Sequence, residues 1–388
     1  MPHKVRLYNN IADKGLNEFD ENFVYGDDLE GADAILVRSA DLHGLDYNDE
    51  LKAIARAGAG VNNIDIPACT EKGIVVFNTP GANANAVTEL VMAGLLLASR
   101  DIYHGIEWCK ANSDVPTLGK DVEKQKKQYA GNELTGKSLG VIGLGAIGIK
   151  VANLALRFGM DIMGYDPYIS VDNAWGMSKW VKHVKNEKEL FANSDFITLH
   201  APLNDATKDT INKDTLALMK DGVKILNFAR GGLVNEDDLL EALDSGKVAL
   251  YVTDFPSARL AGHEKVIPIP HLGASTEESE ENCAVNAARE IMDYLQHGNI
   301  VNSVNMPAAS APMTTPFRLT VIHENKPKML SQITDIFASQ DVNIENLINK
   351  SRKDIAYTIL DLTAEPTPEA IDKIRDVNGV VRVEAYEA

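Results

Sequence analysis

Cysteine is scarce in this chain, with three in 388 residues at Cys69, Cys109 and Cys283. They form no CxxC pair and no metal-ligand spacing, which excludes a disulfide framework and a cysteine-based metal site. The odd count fits a reducing compartment. Positive charge is also in deficit: 38 Lys and Arg against 56 Asp and Glu leave a net charge of −18. That balance argues against nucleic acid or an anionic membrane as a partner, so an anionic substrate must be drawn in by local cations. No apolar run approaches the ~18 residues of a membrane span, and the opening Met1-Pro-His-Lys-Val-Arg-Leu-Tyr lacks the pattern of a signal peptide. The expected location is the cytoplasm. What remains is ordinary for a soluble globular protein, with 45% hydrophobic and 24% charged residues in a length that suits two or three domains.

Residues 1–90 alternate strand-like and helix-like pieces. Short apolar runs at 34–37, 51–55 and 74–77, bounded by Gly, Asp or Asn, read as buried parallel strands. Residues 84–105 lack Pro and carry Val87, Leu90, Val91, Gly94, Leu95 and Ala98 on one helical spacing, which predicts a single long helix. A second unit starts at 138–142, with further strands expected at 161–165, 196–199, 224–227 and 250–253. That βαβ rhythm predicts a doubly wound parallel sheet. A helix over 277–296 leads out of it. The Pro, Ala and Thr of 306–316 mark a domain boundary. The last 72 residues read strand, helix, strand, strand, helix, strand, a ferredoxin-like βαββαβ order.

Three stretches carry the chemistry. Gly143-Leu144-Gly145-Ala146-Ile147-Gly148 follows an apolar strand and opens a helix. Gly143 permits the tight turn, Gly145 lets backbone approach a pyrophosphate, and Gly148 lets the helix pack on the strand. Asp166, 18 residues past Gly148, stands where a ribose 2′-hydroxyl is expected. A carboxylate there favours NAD over NADP. Asn227-Phe228-Ala229-Arg230-Gly231-Gly232 offers a permanent cation, Arg230, able to grip a carboxylate with two parallel hydrogen bonds. Pro270-His271-Leu272-Gly273-Ala274-Ser275-Thr276 offers His271, a base suited to exchanging a proton with a hydroxyl. A structural salt bridge for Arg230 and a structural role for His271 are the plainer alternatives.

Together with Leu36-Val-Arg-Ser39, Ala57-Gly-Ala-Gly-Val-Asn62, Asn78-Thr-Pro-Gly-Ala-Asn83 and His200-Ala-Pro-Leu203, these motifs resemble the D-2-hydroxyacid dehydrogenases along essentially the whole chain. The resemblance implies an α/β fold of two doubly wound Rossmann-like domains. A substrate domain, 1–93 and 288–308, is split around an NAD domain at 94–287. A linker at 309–316 follows, and the module at 317–388 resembles an ACT domain.

Within the family, the chain resembles the branch that oxidises C2 of 3-phosphoglycerate with NAD at the start of serine synthesis. The resemblance implies that Arg230 binds the carboxylate and C2 oxygen and that His271 takes the hydroxyl proton. NAD would be lined by Gly143, Gly145, Ala146, Ile147, Gly148, Asp166, His200, Ala201, Pro202, Thr207, Ala229, Asp254, Gly273 and Ala274. Arg38 and Ser39 match a phosphate-contacting pair, joined on the substrate side by Ala59, Gly60 and Asn83, with Arg56 a further candidate. No metal is implied. His323, Asn325 and Asn343 match positions that bind L-serine in feedback-inhibited relatives, but Lys328 stands where a Gly is usual. A homodimer or homotetramer is expected.

One family feature has no counterpart. The Glu that orients the catalytic His would fall on Ala258 or Arg259. Three alternatives stay open: another acid (Glu264, Glu277, Glu278 or Glu280) serves His271, the histidine works unpaired, or catalysis is lost and ligand sensing kept. Among functions, a hydroxypyruvate or glyoxylate reductase and a non-catalytic NAD-responsive protein are the rivals.

Overall fold

The computed structural model describes residues 2–340 and 342–388. Contacts divide the chain into two compact units, Met1–Ala82 with Glu280–Ala388, and Asn83–Ser279. The sequence reading put the seams at 93/94 and 287/288 and set the last 72 residues apart. Here they belong to the first unit.

The unit Asn83–Ser279 is built on seven parallel strands. From edge to edge they are Val266–Pro268, Val248–Thr253, Val223–Asn227, Phe196–Leu199, Ser138–Ile142, Asp161–Tyr165 and Lys182–His183. The chain enters in the middle, runs outward, then returns to the other side beginning at Phe196–Leu199. That reversal makes a topological switch point beside Ser138–Ile142, where doubly wound sheets bind ligands at their carboxyl edge. Helix Ala84–Ser99 packs closely on the sheet. A Cβ added to Gly94 would stand 2.9 Å from Cζ of Phe228, so the glycine is required by the close approach.

The single helix expected over 84–105 is two. Arg100 is extended (φ −139, ψ 146), and a new helix, Ile102–Ala111, begins at Asp101, whose carboxylate accepts the His104 amide at 3.4 Å. An aspartate that can satisfy the amides of a fresh first turn starts a helix rather than continuing one.

The other unit holds two sheets. Five parallel strands run in the order Phe23–Gly26, His3–Tyr8, Ala34–Val37, Ala53–Arg56, Val75–Asn78. Four antiparallel strands run in the order Ile344–Arg352, Ile355–Leu362, Phe317–Glu324, Val380–Glu387. Helices Met329–Ala338 and Pro368–Arg375 cover one face of the antiparallel sheet through Ile333, Phe337, Ala370 and Ile374. Its other face is not open. Ile322, Tyr357 and Ile359 join Leu36, Ala55, Phe77, Tyr294 and Ile300 in one continuous core.

The stretch expected to be a tether, 309–316, is docked. Ile300 and Ala309 exchange backbone hydrogen bonds at 2.8 and 2.9 Å, and the Ala311 amide donates to Asn299 Oδ1 at 3.1 Å. Arg318, fully buried, donates to Asp361 through Nε (2.6 Å) and Nη2 (3.2 Å), and to the carbonyls of His297 (2.9 Å), Ala311 (3.1 Å) and Pro312 (3.0 Å). Proline and alanine content signals only that a segment forms no regular element. It carries no information about a buried arginine that collects that segment's carbonyls.

Candidate active site

Six strands of the seven-stranded sheet deliver a sequence-selected residue at or just beyond their carboxyl ends. Ser138–Ile142 leads to Gly143, Asp161–Tyr165 to Asp166, and Phe196–Leu199 to His200. Val223–Asn227 leads to Ala229 and Arg230, Val248–Thr253 to Asp254, and Val266–Pro268 to His271. Parallel pairing puts all these ends on one edge, so residues over a hundred positions apart become neighbours.

The glycine loop has the form its spacing requires. Gly143 has φ +90, and a Cβ there would stand 2.7 Å from the His200 carbonyl. A Cβ on Gly148 would meet Gly143 O at 1.9 Å, whereas one on Gly145 would meet nothing within 4 Å. The loop is thus closed on its protein side and open at Gly145. Helix Ala146–Arg157 starts directly after it with no side-chain cap, leaving the first-turn amides of Ala146 and Ile147 for an anion. Asp166 accepts the Leu144 amide (2.8 Å) through one oxygen and the Tyr168 amide (2.8 Å) through the other. Its carboxylate is therefore fixed against the loop, with lone pairs remaining for ribose hydroxyls. These residues fit a dinucleotide.

His200 pairs through Nε2 with Thr198 Oγ1 at 2.9 Å, and its Nδ1 is covered without a partner. Burial pushes its pKa down to about 3, so the ring is neutral. Thr207 braces the following loop, donating to the Pro202 carbonyl and accepting the Asn204 amide at 2.9 Å. Ala201 abuts the glycine loop through its backbone amide, 2.9 Å from the Gly143 Cβ position.

Asn227, buried, organises the arginine loop. Its amide donates to the Arg230 carbonyl (2.9 Å) and accepts the Ala229 amide (3.1 Å). The Arg230 side chain is exposed, and its Nη1 donates to Ala229 O at 2.6 Å. Asp254, also buried, grips the histidine loop by accepting the amides of Leu272 (2.7 Å) and Gly273 (2.8 Å). Both oxygens thus already serve the loop, which makes Asp254 a positioning residue beyond its expected place beside nicotinamide. Gly273 is tight against it, a Cβ there lying 3.0 Å from Asp254 Oδ2, and Ala274 follows in the same turn. His271 itself sits at φ +52, a left-handed conformation uncommon outside glycine.

The link between arginine and histidine was missed in the sequence. Phe255 has its ring centroid 4.7 Å from that of His271, and the Arg230 guanidinium lies 5.9 Å from the same ring. The available signal was an aromatic residue directly after Asp254 in an otherwise small and polar loop.

Of the acids considered as replacements for the absent Glu, Glu280 is engaged by another residue. Ala258 and Arg259 lie in helix Ala258–Ala261, and Arg259 pairs with Asp237 at 2.7 Å and Glu236 at 3.5 Å. Glu280 is bonded to Arg38. Among the described residues of the seven-stranded unit, no carboxylate is hydrogen-bonded to the His271 ring.

In the other unit, Arg38 directly follows strand Ala34–Val37 and its guanidinium pairs with Glu280, the acid-paired alternative to a phosphate contact. The Ser39 amide donates to Asn9 Oδ1 at 2.9 Å, and the Ala59 carbonyl accepts Asn78 Nδ2 at 2.6 Å beside Gly60. Arg56 lies across Gly58, where a Cβ would meet its Nη1 at 2.1 Å. Asn83 precedes helix Ala84–Ser99 without capping it through its side chain. Among the effector candidates, His323 is buried, and its ring nitrogens contact Glu324 O (2.8 Å) and Thr358 Oγ1 (2.9 Å). Asn325 holds the Lys353 carbonyl at 3.0 Å and Asn343 contacts Glu345 at 3.2 Å. Lys328 adopts φ +70, a left-handed conformation that favours glycine.

Residues 92–273 match the family described as D-isomer specific 2-hydroxyacid dehydrogenase, NAD binding domain, and residues 319–382 match the AHAS small subunit-like ACT domain. The chain belongs to the D-isomer-specific 2-hydroxyacid dehydrogenases. A D-3-phosphoglycerate dehydrogenase of Methanocaldococcus jannaschii is 40% identical over 303 residues, which are 75% of this chain and 56% of that one. The chain thus spans little more than half the length of the curated relatives it matches. Among solved structures, the NAD-bound 3-phosphoglycerate dehydrogenase of Entamoeba histolytica aligns with a TM-score of 0.60 at 28% identity, covering 79% of this chain and 99% of that one. A glyoxylate reductase from Paecilomyes thermophila aligns at 0.64 and 27%, covering 78% and 98%. The site brings Arg230 and His271 against the same Phe255 ring.

Proposed function

We propose that this chain is an NAD-dependent D-3-phosphoglycerate dehydrogenase, interconverting 3-phosphoglycerate and 3-phosphohydroxypyruvate. The observation that carries the reading is the contact of both Arg230 and His271 with the Phe255 ring, on the same sheet edge as the Gly143–Gly148 loop. Arg230 binds the substrate carboxylate and polarises the C2 oxygen. His271 takes the C2 hydroxyl proton in oxidation and returns it in reduction. NAD, when bound, supplies the hydride acceptor. Asp254 and Asn227 hold the two loops so that neither side chain must be ordered during the reaction.

The test is NADH absorbance during reduction of 3-phosphohydroxypyruvate by purified protein, with Arg230→Ala and His271→Ala as controls. Turnover lost in both supports the assignment. No turnover with NAD still bound overturns it in favour of a non-catalytic NAD-responsive protein. A second reading, reduction of unphosphorylated hydroxypyruvate or glyoxylate, is favoured by the Arg38–Glu280 pair. Equal activity on phosphorylated and unphosphorylated acids would establish it.

The same proposal takes L-serine as an effector through Asn325 and Asn343, a homodimer or homotetramer as the assembly, and the cytoplasm as the location. Among the described residues no helix is long and apolar enough to cross a membrane.

A further inference from the structure

At the amino edge of the seven-stranded sheet, opposite the candidate active site, lies a cleft of about 460 Å³. Its walls include Arg100, His104, Gly131, Lys224 and Lys265. The volume is in the range of small-molecule sites. Lys224 opens the strand whose far end leads to Arg230.

Among the described residues, Arg100, Lys224 and Lys265 have no carboxylate partner. Lys224 is half-buried, and its amine donates to the amide oxygen of Asn132 at 2.8 Å and lies 5.1 Å from the centre of the Phe196 ring. Lys265 donates to the Leu243 carbonyl at 2.6 Å. Arg100 is exposed on the wall. His104 is bonded to Asp101 at 2.6 Å, and the exposed Glu264 is the remaining acid of the lining. In a chain of net charge −18, cations seldom lack acids by accident of composition. Removing an amine from water without a counter-ion is costly. Burial, with Lys137 second, lowers the Lys224 pKa, and an anion in the cleft would reverse that shift.

We propose that this cleft binds a small multivalent anion, a phosphate ester or a polycarboxylate, between Arg100 and Lys224. The site is separate from the dinucleotide loop and does not depend on the activity proposed above. Its ligand would sit at the start of the strand that leads to the Asn227–Arg230 turn, the end remote from the chemistry.

The test is acylation of Lys224 in the full chain, quantified by peptide mass spectrometry with NAD saturating, so that phosphate cannot act through the dinucleotide loop. Inorganic phosphate and citrate are titrated separately at fixed ionic strength. The expected result is saturable protection of Lys224 by one or both anions, with at least a tenfold weaker midpoint in Arg100→Ala. Arg100 is exposed, so this variant does not threaten folding. Protection by phosphate alone assigns a phosphate ester, and by citrate alone a polycarboxylate. Lys224 labelling unchanged by both anions, or protection identical in Arg100→Ala, overturns the proposal.

Discussion

The ring of Phe255 stands 4.7 Å from the imidazole of His271, tilted by 50°. Among the described residues of the seven-stranded unit no carboxylate is hydrogen-bonded to the His271 ring, so this packing contact is what braces it. A ring can fix the plane of an imidazole, but it cannot choose a tautomer or draw a proton. Phe255→Leu is therefore expected to lower kcat by ~10- to 100-fold through misplacement of His271, leaving the NAD dissociation constant unchanged. Phe255→Tyr should restore most of the rate. Steady-state kinetics with a separate NAD titration distinguish this from unfolding, and an unaltered kcat in Phe255→Leu would sink it.

Glu290 is held by Asn302 Nδ2 at 2.6 Å through one oxygen while the other is covered and unpartnered, and burial pushes its pKa up to about 7 from 4.5. A raised carboxylate pKa means that the folded protein holds a proton the unfolded chain has released. Stability from this group is full below the unfolded value and falls as pH climbs through the interval to about 7. Glu290→Gln keeps the amide contact and removes the titration. Denaturant unfolding should show the variant more stable at pH 8 by ~1–3 kcal/mol and equal to the parent near pH 4. Parallel pH profiles for the two proteins would refute this.

Breaking the Arg318–Asp361 pair by one partner leaves a fully buried charge. Arg318→Met is expected to cost about 3–5 kcal/mol, and replacing both residues by apolar ones less than the sum of the single changes. Urea unfolding of the two single variants and the double variant closes the cycle, and strict additivity would contradict coupling.

Lys328 occupies a left-handed turn with φ +70. Lys328→Gly relieves that conformation and should raise stability by roughly 1 kcal/mol, less the entropy glycine adds to the unfolded chain. If L-serine binds beside this turn, the same variant should be inhibited at lower serine concentration. Thermal unfolding checks the first effect and an activity titration the second.

Much of this was legible in the residues. The glycine spacing, Asp166, Arg230 and His271 each follow a strand, and parallel pairing alone brings strand ends together, so one edge with all of them follows from local pattern. Asp254 was legible as a position but not as a clamp on Leu272 and Gly273, because backbone amides carry no sequence signal. The contact of His323 with Thr358 was not legible for a similar reason, because Thr358 lies 35 residues away and arrives through antiparallel pairing. The helix break at Asp101 was not read, because the apolar spacing before it continued a helical pattern. The acid paired with Arg38 could not be named, because Glu280 lies 242 residues away.

The last 72 residues look, by order of elements, like a module added to the end of an enzyme. Their sheet nonetheless shares a continuous apolar interior with Leu36, Ala55 and Phe77, next to the strand ends that carry Arg38 and Arg56. Truncation at residue 316 would therefore leave a wall missing rather than a domain removed, with Tyr294 and Ile300 turned to water. A ligand that shifts the antiparallel strands would press on the strands of Leu36, Ala55 and Phe77 through that shared interior, with the intervening segment pinned to Ile300 and Asn299.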